Sequence, residues 1–321
     1  MKILLIRFSS IGDIVITSPI IRCLKTQLKE VELHFLTKEN FSNLVVHNPY
    51  ISKVHKLKSN GLTPLIEHLK IEQFDCVIDL HKNIRTQKIK RQLKTKWFSY
   101  QKLNFKKWLF VHFKLDLLPH KHLVDRYFEG IKTLNIVNDN LGLEYHLPTK
   151  TQIDLPSFSL IEKQYYVISL GATYFTKRIP NHTLQSLIKR LNNSPVVLIG
   201  AGESDIKKAE YLTQTTQHQK VINLCNKLSI DESAYIIKHA HTVITGDTGM
   251  MHIAACFDVN IEAFWGNTHP KFGMYAYETQ KVKNHVVNIP CHPCSKLGSN
   301  SCPRGHFDCM NKQDILKIKI G

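Results

Sequence analysis

The chain has 321 residues, 43% of them hydrophobic, enough for a sizeable core and more than one core usually holds, so two domains are expected. Its 43 Lys and Arg against 26 Asp and Glu give a formal charge of +17, which favours polyanionic partners such as nucleic acid, anionic lipid or phosphorylated substrates. No run approaches the roughly 18 apolar residues of a membrane span, and the start, interrupted by Arg7 and Asp13, reads as a strand and not an export signal, so a cytoplasmic protein is expected.

In the first half, β-branched runs at Ile3–Phe8, Glu32–Thr37, Lys53–Leu57 and Cys76–Leu80 alternate with amphipathic helical runs. Such alternation implies a parallel sheet with crossover helices. A helical pattern over Leu123–Leu134 precedes a polar stretch, Asn138–Pro156, that reads as a linker. A second series follows, with strands at Tyr165–Leu170, Val196–Gly200, Val221–Leu224, Thr242–Thr245 and Asn260–Phe264 and helices between them. The expectation is an α/β protein of two Rossmann-like domains, residues 1–150 and 151–321. Ligands of open parallel sheets sit beyond the carboxyl ends of the strands, so two facing sheets would place the active site in an interdomain cleft.

Three segments fall at such strand ends. Ser9-Ser10-Ile11-Gly12-Asp13 follows the first strand and opens a helix. Asp13 and the serines can be plain helix caps, or Gly12 lets the backbone approach a ligand while Asp13 acts as a general base. Gly171–Pro180, holding Thr173 and Lys177, follows the first strand of the second domain; it suits a phosphate cradle, against the plainer reading of an exposed basic turn. Gly246-Asp247-Thr248-Gly249-Met250-Met251-His252 runs from a strand into a helix, whose opening amides favour a diphosphate. Asp247 would then accept hydroxyl hydrogen bonds or hold the turn, and His252 is either part of this site or a packed core histidine. Glu203, after Gly200-Ala201-Gly202, is placed to bind a ribose.

Taken together, Ser9-Ser10-Ile11-Gly12-Asp13, Thr173 with Lys177, and Asp247–His252 followed by Gly266-Asn267-Thr268-His269-Pro270 resemble glycosyltransferase family 9, best known for ADP-heptose:lipopolysaccharide heptosyltransferases. The resemblance implies a GT-B fold, with the acceptor on the N-terminal domain and an ADP-sugar on the C-terminal one. It implies that Asp13 is the catalytic base of an inverting transfer. By the same likeness Thr173 and Lys177 meet the donor phosphates, and the turn of Asp247, Thr248, Gly249 and His252 holds diphosphate and sugar. Ser10, Gly12, Lys82 and Arg85 would line the acceptor side, an anionic lipid-linked glycan. The sequence has no Asp-x-Asp, so a metal-independent mechanism without added cofactor is expected. The chain departs from the family at Asp79–Arg85, where members often carry a Gly-rich stretch, and at Asn267, where many carry proline.

Other features stay open at this level. Lys82, Arg85, Lys88, Lys90 and Arg91 either grip acceptor anions or form a solvated helix face. Between Trp97 and Lys114, Phe105, Trp108, Leu109 and His112 share a helical face with lysines beside it; this suits either peripheral contact with the inner membrane or core packing. Cys291, Cys294, Cys302 and Cys309 could close a structural zinc site or form a reduced packing cluster. An oxidoreductase is disfavoured by the lack of a complete Gly-x-Gly-x-x-Gly turn, and nucleic acid binding by the lack of a recognisable motif. A GT-B enzyme using another nucleotide sugar, a non-hydrolysing epimerase and a non-catalytic anion-binding protein are the remaining alternatives.

Overall fold

In a computed structural model, the described residues are 1–59, 61–192, 194–216 and 220–318. They form two compact units, Met1–Lys102 with Lys121–Pro148, and Leu103–His120 with the chain from Thr149 onward. The stretch 103–120 thus packs with the second unit although it precedes the linker.

The first unit is built on a sheet of five parallel strands in the order β3-β2-β1-β4-β5: β1 Lys2–Ile6, β2 Glu32–Lys38, β3 Lys53–Leu57, β4 Cys76–Asp79 and β5 Lys96–Ser99. The second sheet runs β11-β10-β9-β6-β7-β8, also parallel: β6 Tyr166–Ser169, β7 Val196–Ile199, β8 Val221–Asn223, β9 Thr242–Gly246, β10 Asn260–Trp265 and β11 Val282–Val286. Central strands are apolar on both faces because helices cover both sides of a parallel sheet. Ile3 to Ile6 and Val196 to Ile199 are accordingly buried throughout.

Both orders reverse beside the first strand of the sheet, between β1 and β4 and between β6 and β9. These are topological switch points, where the loops at the carboxyl ends splay apart and leave room for a ligand. Two edge strands, β5 and β11, lie outside the runs legible in the sequence; each pairs with one neighbour only and is half exposed. Among the described residues no helix is long and apolar enough to cross a membrane.

Candidate functional site

In the first unit, the loops after β1 and β4 flank the switch point. Ser10 caps the helix Ile11–Val15, and three residues on, Asp13 Oδ2 accepts from Ser10 Oγ at 2.8 Å and from its backbone N–H at 3.2 Å. The other oxygen, Oδ1, pairs with Arg7 Nη2 at 2.5 Å. Arg7 is buried, donating also from Nε to the Ser9 carbonyl at 2.9 Å and from Nη1 to the Leu80 carbonyl. One oxygen of Asp13 therefore does the work of a cap while the other meets a buried cation. The Asp13 side chain keeps 22% of its surface open.

Burial would raise the pKa of Asp13, but the Arg7 charge and the hydrogen bonds from Arg7 and Ser10 outweigh it and hold the group at about 2. Burial would lower the Arg7 guanidinium, but the Asp13 charge, the neighbouring Tyr127 and Tyr100 and the hydrogen bond to Asp13 together raise it. His81 packs edge-on to Phe8 at 5.1 Å. Burial and then the positive charges of Arg7 and Lys102 hold His81 down to about 3, so it is neutral at physiological pH. Asp79 Oδ1 accepts from the backbone of His81 at 2.9 Å and of Lys82 at 2.7 Å, folding the turn after β4. The exposed Lys82 sends Nζ to the Tyr100 carbonyl at 3.1 Å. Arg85 is exposed on the helix Ile84–Leu93, where it borders a surface hollow with Lys38 and Lys58.

In the second unit, Thr176 and Lys177 cross over the ends of β9 and β10. A Cβ on Gly246 would stand 2.2 Å from the Lys177 carbonyl oxygen, and one on Gly266 would stand 2.0 Å from that of Thr176. Only glycine allows that crossing. It brings Lys177 Nζ to 2.7 Å from Asp247 Oδ2, an oxygen that also accepts from Thr268 Oγ1 at 2.7 Å. The side chains of Lys177 and Asp247 keep 18% and 9% exposure. Thr248 opens the short helix Gly249–Ala254, its hydroxyl 3.0 Å from that of Thr245.

Other candidates stand differently. His252 is buried one turn into that helix, and Thr173 is exposed on the crossing loop. Glu203 is exposed and pairs with Lys207 at 2.5 Å. The carboxylate that organises the neighbouring turns is Asp205, which accepts from the Ala201 N–H at 3.0 Å and lies 3.5 Å from Arg178 Nη1. Gly171 and Gly200 make room for it, since a Cβ on either would meet Asp205 within 2.9 Å. Arg7, His81 and Asp205 are contributors that the sequence reading passed over. Arg7 left one signal, a charge at the end of an otherwise apolar strand.

All eight cysteines are free thiols. Burial, followed by the nearby charges of Cys294, Cys302 and Cys291, pushes Cys309 up to about 12. Among the described residues, no three of the four clustered sulfurs lie within 4.8 Å of one another. On the helix Asn104–Phe113, Phe110 is buried against Phe272 and His269 with ring centroids 5.7 Å away in both cases. Phe105, Trp108 and Phe113 remain 70%, 46% and 65% exposed, which answers the question of core packing for Phe105 and Trp108.

Two Rossmann-like parallel-sheet units, each with its polar loops at the switch point, define an α/β protein of the GT-B class. The profile described as "Glycosyltransferase family 9 (heptosyltransferase)" matches residues 62–302. The chain belongs to that family and is a glycosyltransferase. It is 23% identical to lipopolysaccharide heptosyltransferase 1 of Campylobacter coli over 79% of this chain and 80% of the relative. With lipopolysaccharide heptosyltransferase 1 of Pseudomonas aeruginosa the identity is 23% over 100% of this chain and 94% of the relative. Among solved structures, E. coli heptosyltransferase WaaC with ADP-2-deoxy-2-fluoro heptose superposes with a TM-score of 0.71 at 19% identity, covering 94% of this chain and 97% of that one.

Proposed function

We propose that the protein transfers a heptose from ADP-heptose to a lipopolysaccharide-core acceptor, with inversion at the anomeric carbon and no catalytic metal. The observation that carries this reading is Asp13: an ionised, partly open carboxylate at the switch point of the first sheet, in a chain whose relatives are lipopolysaccharide heptosyltransferases.

In this mechanism the acceptor hydroxyl lies against Asp13. Its oxygen forms a bond to the anomeric carbon, the bond from that carbon to the diphosphate breaks, the hydroxyl proton passes to Asp13, and ADP leaves. A carboxylate held at about 2 is a weak base, so the proton moves only once the forming C–O bond has made the hydroxyl strongly acidic. Arg7 keeps Asp13 charged and aimed. On the donor side, Lys177 exchanges Asp247 for the diphosphate and meets the charge that grows on it. Asp247, released, accepts hydroxyl hydrogen bonds of the sugar, and the Thr248-Gly249 turn offers its amides. Ser10, Gly12, Lys82 and Arg85 serve the acceptor, the two basic residues by charge.

Because such an acceptor is lipid-linked, the protein would work at the cytoplasmic face of the inner membrane. The exposed Phe105, Trp108 and Phe113 beside Lys106 suit an anionic membrane surface.

The test is calorimetric comparison of ADP, UDP, GDP and NAD on the wild type and Lys177→Ala. Selective ADP binding, weakened in Lys177→Ala, supports the reading. Preference for UDP would move the protein to another donor, and indifference to all four would remove the donor site.

A further inference from the structure

A second group of ionisable side chains lies at the opposite end of the first sheet, away from Asp13. Lys2 pairs with Glu32, and His34 with Lys53, across β1, β2 and β3. The two-residue period of a strand therefore puts Lys2, Glu32, His34, Lys53 and His55 on one face. The helix Leu62–Ile71 covers the apolar part of that face, and Glu72 follows at its end. His34 and His55 are only 1% and 3% exposed. His34 Nδ1 lies 2.9 Å from His55 Nε2 and 3.9 Å from Glu72 Oε2, and ligand atoms of all three residues converge within 4.8 Å.

The tautomer of His34 is fixed by its other nitrogen. Nε2 lies 2.7 Å from Glu32 Oε1, and an ionised carboxylate only accepts, so Nε2 carries the proton and Nδ1 turns its lone pair to the centre of the group. A carboxylate behind an imidazole is the arrangement that orients metal-bound histidines. Glu72 is prepared in the same way: Lys53 holds Oε1 at 2.5 Å and leaves Oε2 toward His34. Lys2, 3.3 Å from Oε2, has Glu32 as a second partner at 3.8 Å. Phe74 packs edge-on to both rings, with centroids at 5.2 Å and 6.0 Å.

We propose that His34 Nδ1, His55 Nε2 and Glu72 Oε2 form a structural Zn²⁺ site that clamps β2, β3 and the end of the covering helix. Bonds of about 2.0–2.1 Å in tetrahedral geometry need the two nitrogens about 3.3 Å apart, a few tenths of an ångström beyond their present separation. On binding, His55 shifts its proton from Nε2 to Nδ1 and Lys2 moves to Glu32. Two imidazoles and one carboxylate suit zinc better than calcium or magnesium. Among the described residues no fourth side chain joins these three, so a water completes the shell; His68 Nε2 lies 3.8 Å from the other carboxylate oxygen, Glu72 Oε1.

The experiment is titration of chelator-treated full-length protein with Zn²⁺ and Co²⁺, read by metal content after dialysis, by thermal unfolding and by the Co²⁺ spectrum. Expected is one zinc per chain that His34→Gln and His55→Gln lose and a Cys291→Ser/Cys294→Ser variant keeps. The Co²⁺ spectrum should show visible ligand-field bands without a thiolate charge-transfer band. Zinc a hundredfold above its Kd should raise the Tm by roughly 5 °C or more in the wild type and in the cysteine variant, and leave His34→Gln and His55→Gln unchanged. Glu32→Gln, which leaves all three ligands in place, should weaken zinc about 10-fold or more. Wild-type protein that binds no zinc, or binds it with a thiolate band and loses it only on cysteine substitution, would overturn the proposal.

Discussion

Asp247→Asn separates the two partners that Lys177 is asked to serve. The amide keeps the size of the carboxylate and an oxygen for Thr268 Oγ1, but removes the charge 2.7 Å from Lys177 Nζ. A partly buried pair of this kind is worth on the order of 1–2 kcal/mol net, between exposed pairs and fully buried ones. A diphosphate that takes Lys177 must offset that energy in the wild type and not in the variant. ADP lacks the sugar that Asp247 would hold, so its affinity reports on the lysine alone. Asp247→Asn should therefore bind ADP about 5- to 30-fold more tightly, while transfer from ADP-heptose slows because sugar hydroxyls lose an anionic acceptor. Calorimetry with ADP supplies the first number and product formation the second. Unchanged or weaker ADP binding in a folded Asp247→Asn protein would refute the assignment of Lys177 to the diphosphate.

Further outcomes follow from the same geometry. Gly266→Ala forces the Thr176 carbonyl outward and with it the residue whose N–H and hydroxyl make three hydrogen bonds with the Ser299 backbone; differential scanning should show the second unit destabilised by about 2–4 kcal/mol. Asp13 has a depressed pKa, so the stability it contributes is present above its ordinary value of 3.8 and is lost as the pH falls through about 2. Asp13→Asn should accordingly cost about 2 kcal/mol in urea unfolding at neutral pH and little at the acid end of that window. Replacing Lys106 by Glu should reduce sedimentation with anionic liposomes, while neutral liposomes should show no such change.

The central strands were legible because a strand covered on both faces must be apolar throughout, as in Leu4-Leu5-Ile6 and Val196-Val197-Leu198-Ile199. The edges were not: Lys96-Trp97-Phe98-Ser99 and Val282–Val286 are half exposed and carry mixed residues that neither period explains. Membership of residues 103–120 in the second unit rests on Phe110, Leu118 and Phe272 meeting across about 150 residues of sequence, a contact that no local pattern encodes. The same holds for the candidate site. Asp13 and Lys177 are visible as polar residues placed just after strands, whereas the Arg7 pair needs the chain to turn back on itself between them. Gly246 and Gly266 can be read as turn glycines, but their reason is a loop some 70 to 90 residues earlier in the chain. Asp205, two residues beyond the more conspicuous Glu203, faces inward only because of where its helix begins.

The most direct test of the account is transfer itself: ADP-heptose and a heptose-free lipopolysaccharide-core acceptor, with chelator present, followed by mass spectrometry of the product and NMR of its anomeric centre, for the wild type and Asp13→Asn. The account predicts a single added heptose with inverted configuration, ADP released in equal amount, and a rate about 10²- to 10⁴-fold lower in Asp13→Asn. No transfer by the wild type, a retained configuration, or an Asp13→Asn protein as fast as the wild type would contradict it.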